Sequence, residues 1–130
     1  MYIVVEGDDP GFDIYVNGQA LARYQDSLEQ LSLSLQLRPL LDFFSVDQNS
    51  MAQVMGPDPS EWGTMLPRPQ WFFPMEGLET IHGLLEFLRQ NPAAIGSETP
   101  MVVFELEEFE RVLAKTAQYG LRWHLAVSFR

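Results

Sequence analysis

Two histidines and a run of carboxylates are the residues through which this chain could do chemistry. A general base needs a proton within reach and a neighbour that orients it. His82 flanks the apolar stripe of a helix, four residues after Leu78, and His124 sits in the polar phase of an alternating carboxyl-terminal segment. If the strands carrying His124 and Glu105 are neighbours, His124, Glu105 and Arg122 line one pocket, for a small ligand or a reaction. The simpler reading of each histidine is structural, because geometry and not residue type makes a base. Glu105, Glu107, Glu108 and Glu110 offer oxygens to a divalent ion, yet acids in the first turn of a helix account for them with less machinery. Glu6, Asp8, Asp9 and Asp13 lack the alternating pattern and terminal glutamate of a calcium loop and read as solvated turn carboxylates. No metal site and no cofactor is expected. Phosphate-binding glycine loops, paired-histidine zinc helices and serine nucleophile elbows are all missing, so the chain carries no catalytic signature.

The elements that must position these groups follow from periodicity. Tyr2–Val5 is a short β-forming run, expected as a strand with both faces covered. Asp9-Pro10-Gly11-Phe12 is a turn, and Phe12, Ile14 and Val16 alternate with polar-phase residues, which predicts a second strand in a hairpin with the first. From Gln19 to Leu35 the leucines recur at helical steps. Leu31 to Leu37 also alternates as a strand would, and Arg38-Pro39 closes the segment. A short helix from Asp47 to Met55 is expected, inside an irregular stretch at about 45–73 rich in proline, methionine and tryptophan. Pro74 opens a helix with Leu78, Ile81, Leu84, Leu85 and Leu88 buried, and Asn91-Pro92 stops it. Pro100 introduces Met101–Phe104, an all-apolar run expected as a central strand. A last helix carries Phe109, Val112, Leu113 and Ala117 inward and ends at Gly120. Trp123 to Phe129 alternates as a terminal strand.

That order predicts one α+β domain over 1–130: a small mixed or antiparallel sheet covered mainly on one side by about three helices. At 130 residues and 46% hydrophobic composition the chain can bury a core without staples. It has no cysteine, which excludes disulfides and thiolate chemistry. No basic segment precedes an apolar run at the amino terminus, and no apolar run approaches the ~20 residues of a membrane span. A cytoplasmic protein is expected.

Eighteen acids against eight bases give a formal charge of −10. Such a field disfavours nucleic acid and anionic membranes, which call for clustered Lys and Arg. It supports solubility, and it steers a basic protein partner. Trp62, Met65, Trp71 and Phe72 concentrate aromatic and adaptable side chains in the irregular stretch, as a binding surface does and as a self-anchoring loop does. The apolar edge of Trp123–Phe129 suggests self-association as a homodimer.

Trp71-Phe72-x-Pro74-x-Glu76-Gly77-Leu78, Leu88-Arg89-x-Asn91-Pro92, Leu106-Glu107-Glu108-Phe109-Glu110-Arg111-Val112-Leu113 and Gly120-x-Arg122-Trp123-His124-Leu125 occur in this order. Asn17-Gly18-x-Ala20-Leu21 and Arg38-Pro39-Leu40-x-x-Phe43-Phe44-Ser45 precede them. The ensemble resembles a group of short, acidic bacterial proteins, some of them cyanobacterial, and the resemblance implies no activity. Size and acidity are also similar to bacterial immunity and inhibitor proteins that cap basic toxins, a likeness of composition alone. The expectation is a non-catalytic protein-interaction module.

Overall fold

A computed structural model describes residues 1–7, 9–45 and 69–127. The helix expected at Asp47–Met55, and Trp62 and Met65 of the expected binding surface, lie outside these residues. The described elements are β1 (Tyr2–Val5), α1 (Gln19–Arg23), α2 (Gln25–Ser34), a 3-10 turn (Leu40–Phe43), α3 (Pro74–Gln90), α4 (Thr99–Gln118) and β2 (Trp123–Ala126). The fold is α+β: a two-stranded antiparallel sheet packed against the helices.

The antiparallel pair α3 and α4 forms the body of the core. In α3 the stripe Leu78, Ile81, Leu84, Leu85 and Leu88 is buried, and Pro74 occupies the first helical position, where its missing N–H costs nothing. In α4, Val102, Leu106, Phe109, Val112 and Leu113 are fully buried at helical spacing. α4 ends in a left-handed Gly120 with φ +69°. The Leu121 N–H donates to the Thr116 carbonyl and the Gly120 N–H to the Ala117 carbonyl, the paired bonds of a Schellman cap.

Met101–Phe104, expected as a central strand, lies inside α4. A four-residue apolar run cannot distinguish a strand from one turn of buried helix. Here Val102 is fully buried while Met101 and Phe104 are more than half exposed, the division that a 100° step imposes. Thr99 locks the start: its hydroxyl accepts from the Ile95 N–H and donates to the Gly96 carbonyl. The single helix expected from Gln19 is two helices, broken at Tyr24. The second ends at Ser34, with Gln36 left-handed at φ +59°.

β1 does not pair with residues 12–16. It pairs with β2, Ile3 opposite Leu125 and Val5 opposite Trp123. Residues 12–16 keep the burial alternation of an extended chain, Ile14 half-buried between exposed Asp13 and Tyr15, but form no ladder. Instead the Arg111 guanidinium of α4 donates to the carbonyls of Asp13 (3.4 Å) and Tyr15 (3.3 Å), holding that segment against the helix layer. Nor are both faces of β1 covered: Ile3 and Val5 are buried, Tyr2 and Val4 only half-buried.

Trp123 is the hub between sheet and helices. Its ring is fully buried, stacked on Phe43 at 5.1 Å between centroids. A Cβ on Gly77 would collide with the Trp123 ring and lie 3.0 Å from Leu113 Cδ1. Alanine for glycine inside a helix ordinarily stabilises by about 1 kcal/mol. Here the sign reverses, because an added methyl in a filled core costs about 1–3 kcal/mol. Gly77→Ala should therefore lower the unfolding free energy by about 1–2 kcal/mol in urea titrations, and a gain would show that α3 does not pack this closely on Trp123.

Candidate binding cleft

Glu105, placed by sequence on a strand, is on the buried side of α4 and is 2% exposed. Its carboxylate accepts from the backbone N–H of Ala20 (3.2 Å) and of Leu21 (2.9 Å), in the first turn of α1. Gly18, the residue before that helix, has no side chain to cap it, so Glu105 closes the helix start from across the core. Arg122 is exposed at the sheet end. Its Nε donates to Glu6 Oε1 at 3.2 Å and its Nη2 to Glu6 Oε2 at 2.5 Å. His124 is 1% exposed on the sheet face opposite Trp123 and Leu125, its ring 4.8 Å from that of Trp71. Glu105, Arg122 and His124 thus occupy three separate surroundings, with no hydrogen-bond partner in common among the described residues. His82 is exposed and pairs with Glu110 of α4, Nε2 to Oε2, at 2.9 Å.

The Arg122 hydrogen bonds hold the Glu6 carboxyl below the usual carboxylate range; slight burial opposes this and the guanidinium charge assists it. A carboxyl with a depressed folded pKa stabilises the fold above its unfolded pKa, and that contribution disappears as pH falls through the folded value. Wild type should therefore melt slightly above Glu6→Gln at pH 7, the gap closing in scans taken below about pH 4. The difference is small, since the two side chains are 45% and 34% exposed and solvent screens the pair.

Trp71 and Phe72, expected on a binding surface, are half-buried and contribute to the fold. Phe72 exchanges two backbone hydrogen bonds with Trp123, at 2.8 and 3.0 Å, and its ring meets Phe43 edge-on at 5.3 Å. On the same side the Ser45 N–H donates to the Leu125 carbonyl at 3.0 Å. β2 is therefore flanked on one side by residues 44–45 and 72 and on the other by β1. Of the Trp123–Phe129 edge expected to be available for self-pairing, the part within the described strand, Trp123–Ala126, is flanked on both sides.

The other edge of the sheet is that of β1. Trp123 and Leu125 direct backbone groups toward Phe72 and Ser45, so Arg122, His124 and Ala126 face β1; the Glu6 N–H donates to the Arg122 carbonyl at 2.9 Å. In an antiparallel ladder, alternate residues bond inward and outward. Val4 and Tyr2 are thus the bonded partners of β2, and the N–H and C=O groups of Ile3 and Val5 point outward. Among the described residues nothing hydrogen-bonds them. Both residues are nearly inaccessible, 2% and 5% exposed; beside them β1 and residues 13–16 line a cleft of about 690 Å³, with Pro10 also in its lining. Tyr15 is 71% exposed at the rim. Asp9 and Asp13 are exposed, each accepting a backbone N–H two residues on (Gly11, 3.0 Å; Tyr15, 2.9 Å). Among the described residues no three carboxylate or histidine side chains converge to hold a metal.

Both strand-like segments that wall this cleft were legible in sequence; the gap between them was not, because alternation says where a strand is and not what it pairs with. Comparison with protein-family models, with curated proteins and with solved structures gives no match.

Proposed function

We propose that this chain is a non-catalytic protein-binding module, inhibitor- or immunity-like, whose binding face is the cleft beside β1. The observation that carries this reading is the mainly apolar cleft of about 690 Å³ beside β1, with Asp13 in its lining and Tyr15 71% exposed on it. The formal charge of −10 supports a basic partner, attracted at long range and more strongly at low salt. Among the described residues no helix is long and apolar enough to cross a membrane.

The test is capture from native lysate on immobilised wild type, compared with Tyr15→Ala and Asp13→Arg. Both positions are exposed on the far wall, so the variants should melt as wild type does. A partner retained by wild type and lost by both variants supports the cleft. Capture indifferent to both, or no capture at low and physiological salt, removes the reading.

A further inference from the structure

We infer that the Asn17-Gly18 link is a site of self-modification: the chain converts Asn17 to aspartate and isoaspartate through a succinimide, and the isoaspartate form loses the docking of α1. This holds whether or not the cleft binds a protein.

The chemistry needs only these two neighbours and water. The Gly18 backbone nitrogen attacks Asn17 Cγ. The N–Cγ bond forms, the Cγ–Nδ2 bond breaks, and the Gly18 amide proton leaves with Nδ2 as ammonia. Water then opens the ring at either carbonyl. One opening gives aspartate; the other gives isoaspartate, whose backbone runs through Cβ and Cγ. The attacking nitrogen must be unshielded, and glycine, lacking a Cβ, leaves it so. The asparagines of the chain are Asn17, Asn49 and Asn91, and only the first precedes a glycine. Asn49 precedes Ser50, and Asn91 precedes Pro92, whose nitrogen carries no hydrogen.

The structure leaves the pair free to react. Asn17 is exposed, so ammonia escapes to solvent and water reaches the ring. Its Oδ1 accepts the Gln19 N–H at 3.1 Å, which turns the carboxamide back along the Gly18 link, and its Nδ2 has no partner among the described residues. The Gly18 N–H likewise has no acceptor among the described residues, so no hydrogen bond must break before the attack. Glycine is also required here by packing: a Cβ on Gly18 would collide with the Met1 carbonyl. Asn91 is the contrast, its Nδ2 donating to the Phe87 carbonyl at 2.9 Å. The same packing makes one product costly. Ala20 and Leu21 are buried, and their N–H groups meet the Glu105 carboxylate at 3.2 and 2.9 Å. Isoaspartate adds a methylene to the backbone just before Gly18, which drives that residue against Met1 and shifts both donors off the carboxylate. Aspartate leaves the backbone length unchanged and still offers an oxygen to the Gln19 N–H.

The test holds the full chain in mildly alkaline buffer at physiological temperature, beside Asn17→Asp and Asn17→Ser. Peptide mapping by mass spectrometry, with isoaspartate-specific methylation, follows residue 17. Wild type should gain aspartate and isoaspartate there while Asn49 and Asn91 remain amides. Its rate should lie within about tenfold of that of an unstructured peptide of residues 14–21, because the Gly18 amide needs no hydrogen bond opened. The aged chain should unfold at lower urea than fresh Asn17→Asp and exchange its Ala20 and Leu21 amides faster. Asn17→Ser keeps an oxygen for the Gln19 N–H but cannot cyclise, and should age with neither change. Retention of the Asn17 amide after the peptide has fully converted, or earlier conversion at Asn49, overturns the site. Isoaspartate-bearing chain as stable as Asn17→Asp overturns the loss of α1 docking.

Discussion

Replacing Glu105 with alanine should cost about 3 kcal/mol of unfolding free energy, measured by urea titration at pH 7. Two buried backbone donors, the N–H groups of Ala20 and Leu21, lose their acceptor together. Each orphaned buried group costs about 1–3 kcal/mol, because water cannot replace the partner. Glu105→Gln keeps one oxygen but turns an amide NH2 toward a donor, so roughly half the loss is expected. Glu107→Ala is the reference: Glu107 pairs with Arg89 at 3.1 Å on the surface, and its removal should stay within about 0.5 kcal/mol. A Glu105→Ala loss no larger than that of Glu107→Ala would mean the carboxylate is not the cap of α1.

Trp123→Ala should cost more, about 4 kcal/mol, the range measured when a buried aromatic is truncated and its site cannot collapse. The ring stacks on Phe43 and lies against Gly77, which belong to two different elements, so no single shift refills the space. Trp123→Phe should lose much less than its smaller size suggests: the indole Nε1 is buried with no hydrogen-bond partner among the described residues, and phenylalanine removes that orphan donor. The contact with Gly77 adds a cycle. Gly77→Ala should cost about 1 kcal/mol less in the Trp123→Phe background than in wild type, since the ring atoms that the methyl meets are gone. Against a typical total of about 5–15 kcal/mol, either Glu105→Ala or Trp123→Ala brings the fold near its limit. Equal costs for Gly77→Ala in the two backgrounds would remove the proposed collision.

The same two residues mark how far sequence reading reached. Alternation alone puts Trp123 in the inward phase of a terminal strand, and it is there. The same reasoning puts Glu105 on a strand near His124, whereas it is on a helix capping another helix. The difference is that alternation is a local property, whereas the run Met101–Phe104 satisfies strand and helix equally, and only packing against α3 selects between them.

What the amino-acid sequence determined by itself is what local chemistry encodes. The helix beginning at Pro74 with its leucine stripe, its stop before Asn91, the left-handed cap at Gly120 and the strand character of Tyr2–Val5 all follow from ring constraint, periodicity and glycine's freedom. The acidity was equally plain. Tertiary structure alone decided pairing. β2 could meet β1, residues 12–16 or a second chain with the same side chains inward, because a strand's pattern specifies its buried face and not its neighbour across the ladder. Contacts from distant elements broke the tie: Phe72 and Ser45 took one edge of β2, β1 took the other, and Arg111 tied the Asp13 and Tyr15 carbonyls to α4. The cleft beside β1 exists only as the remainder of that competition, and it is the feature on which the proposed function depends.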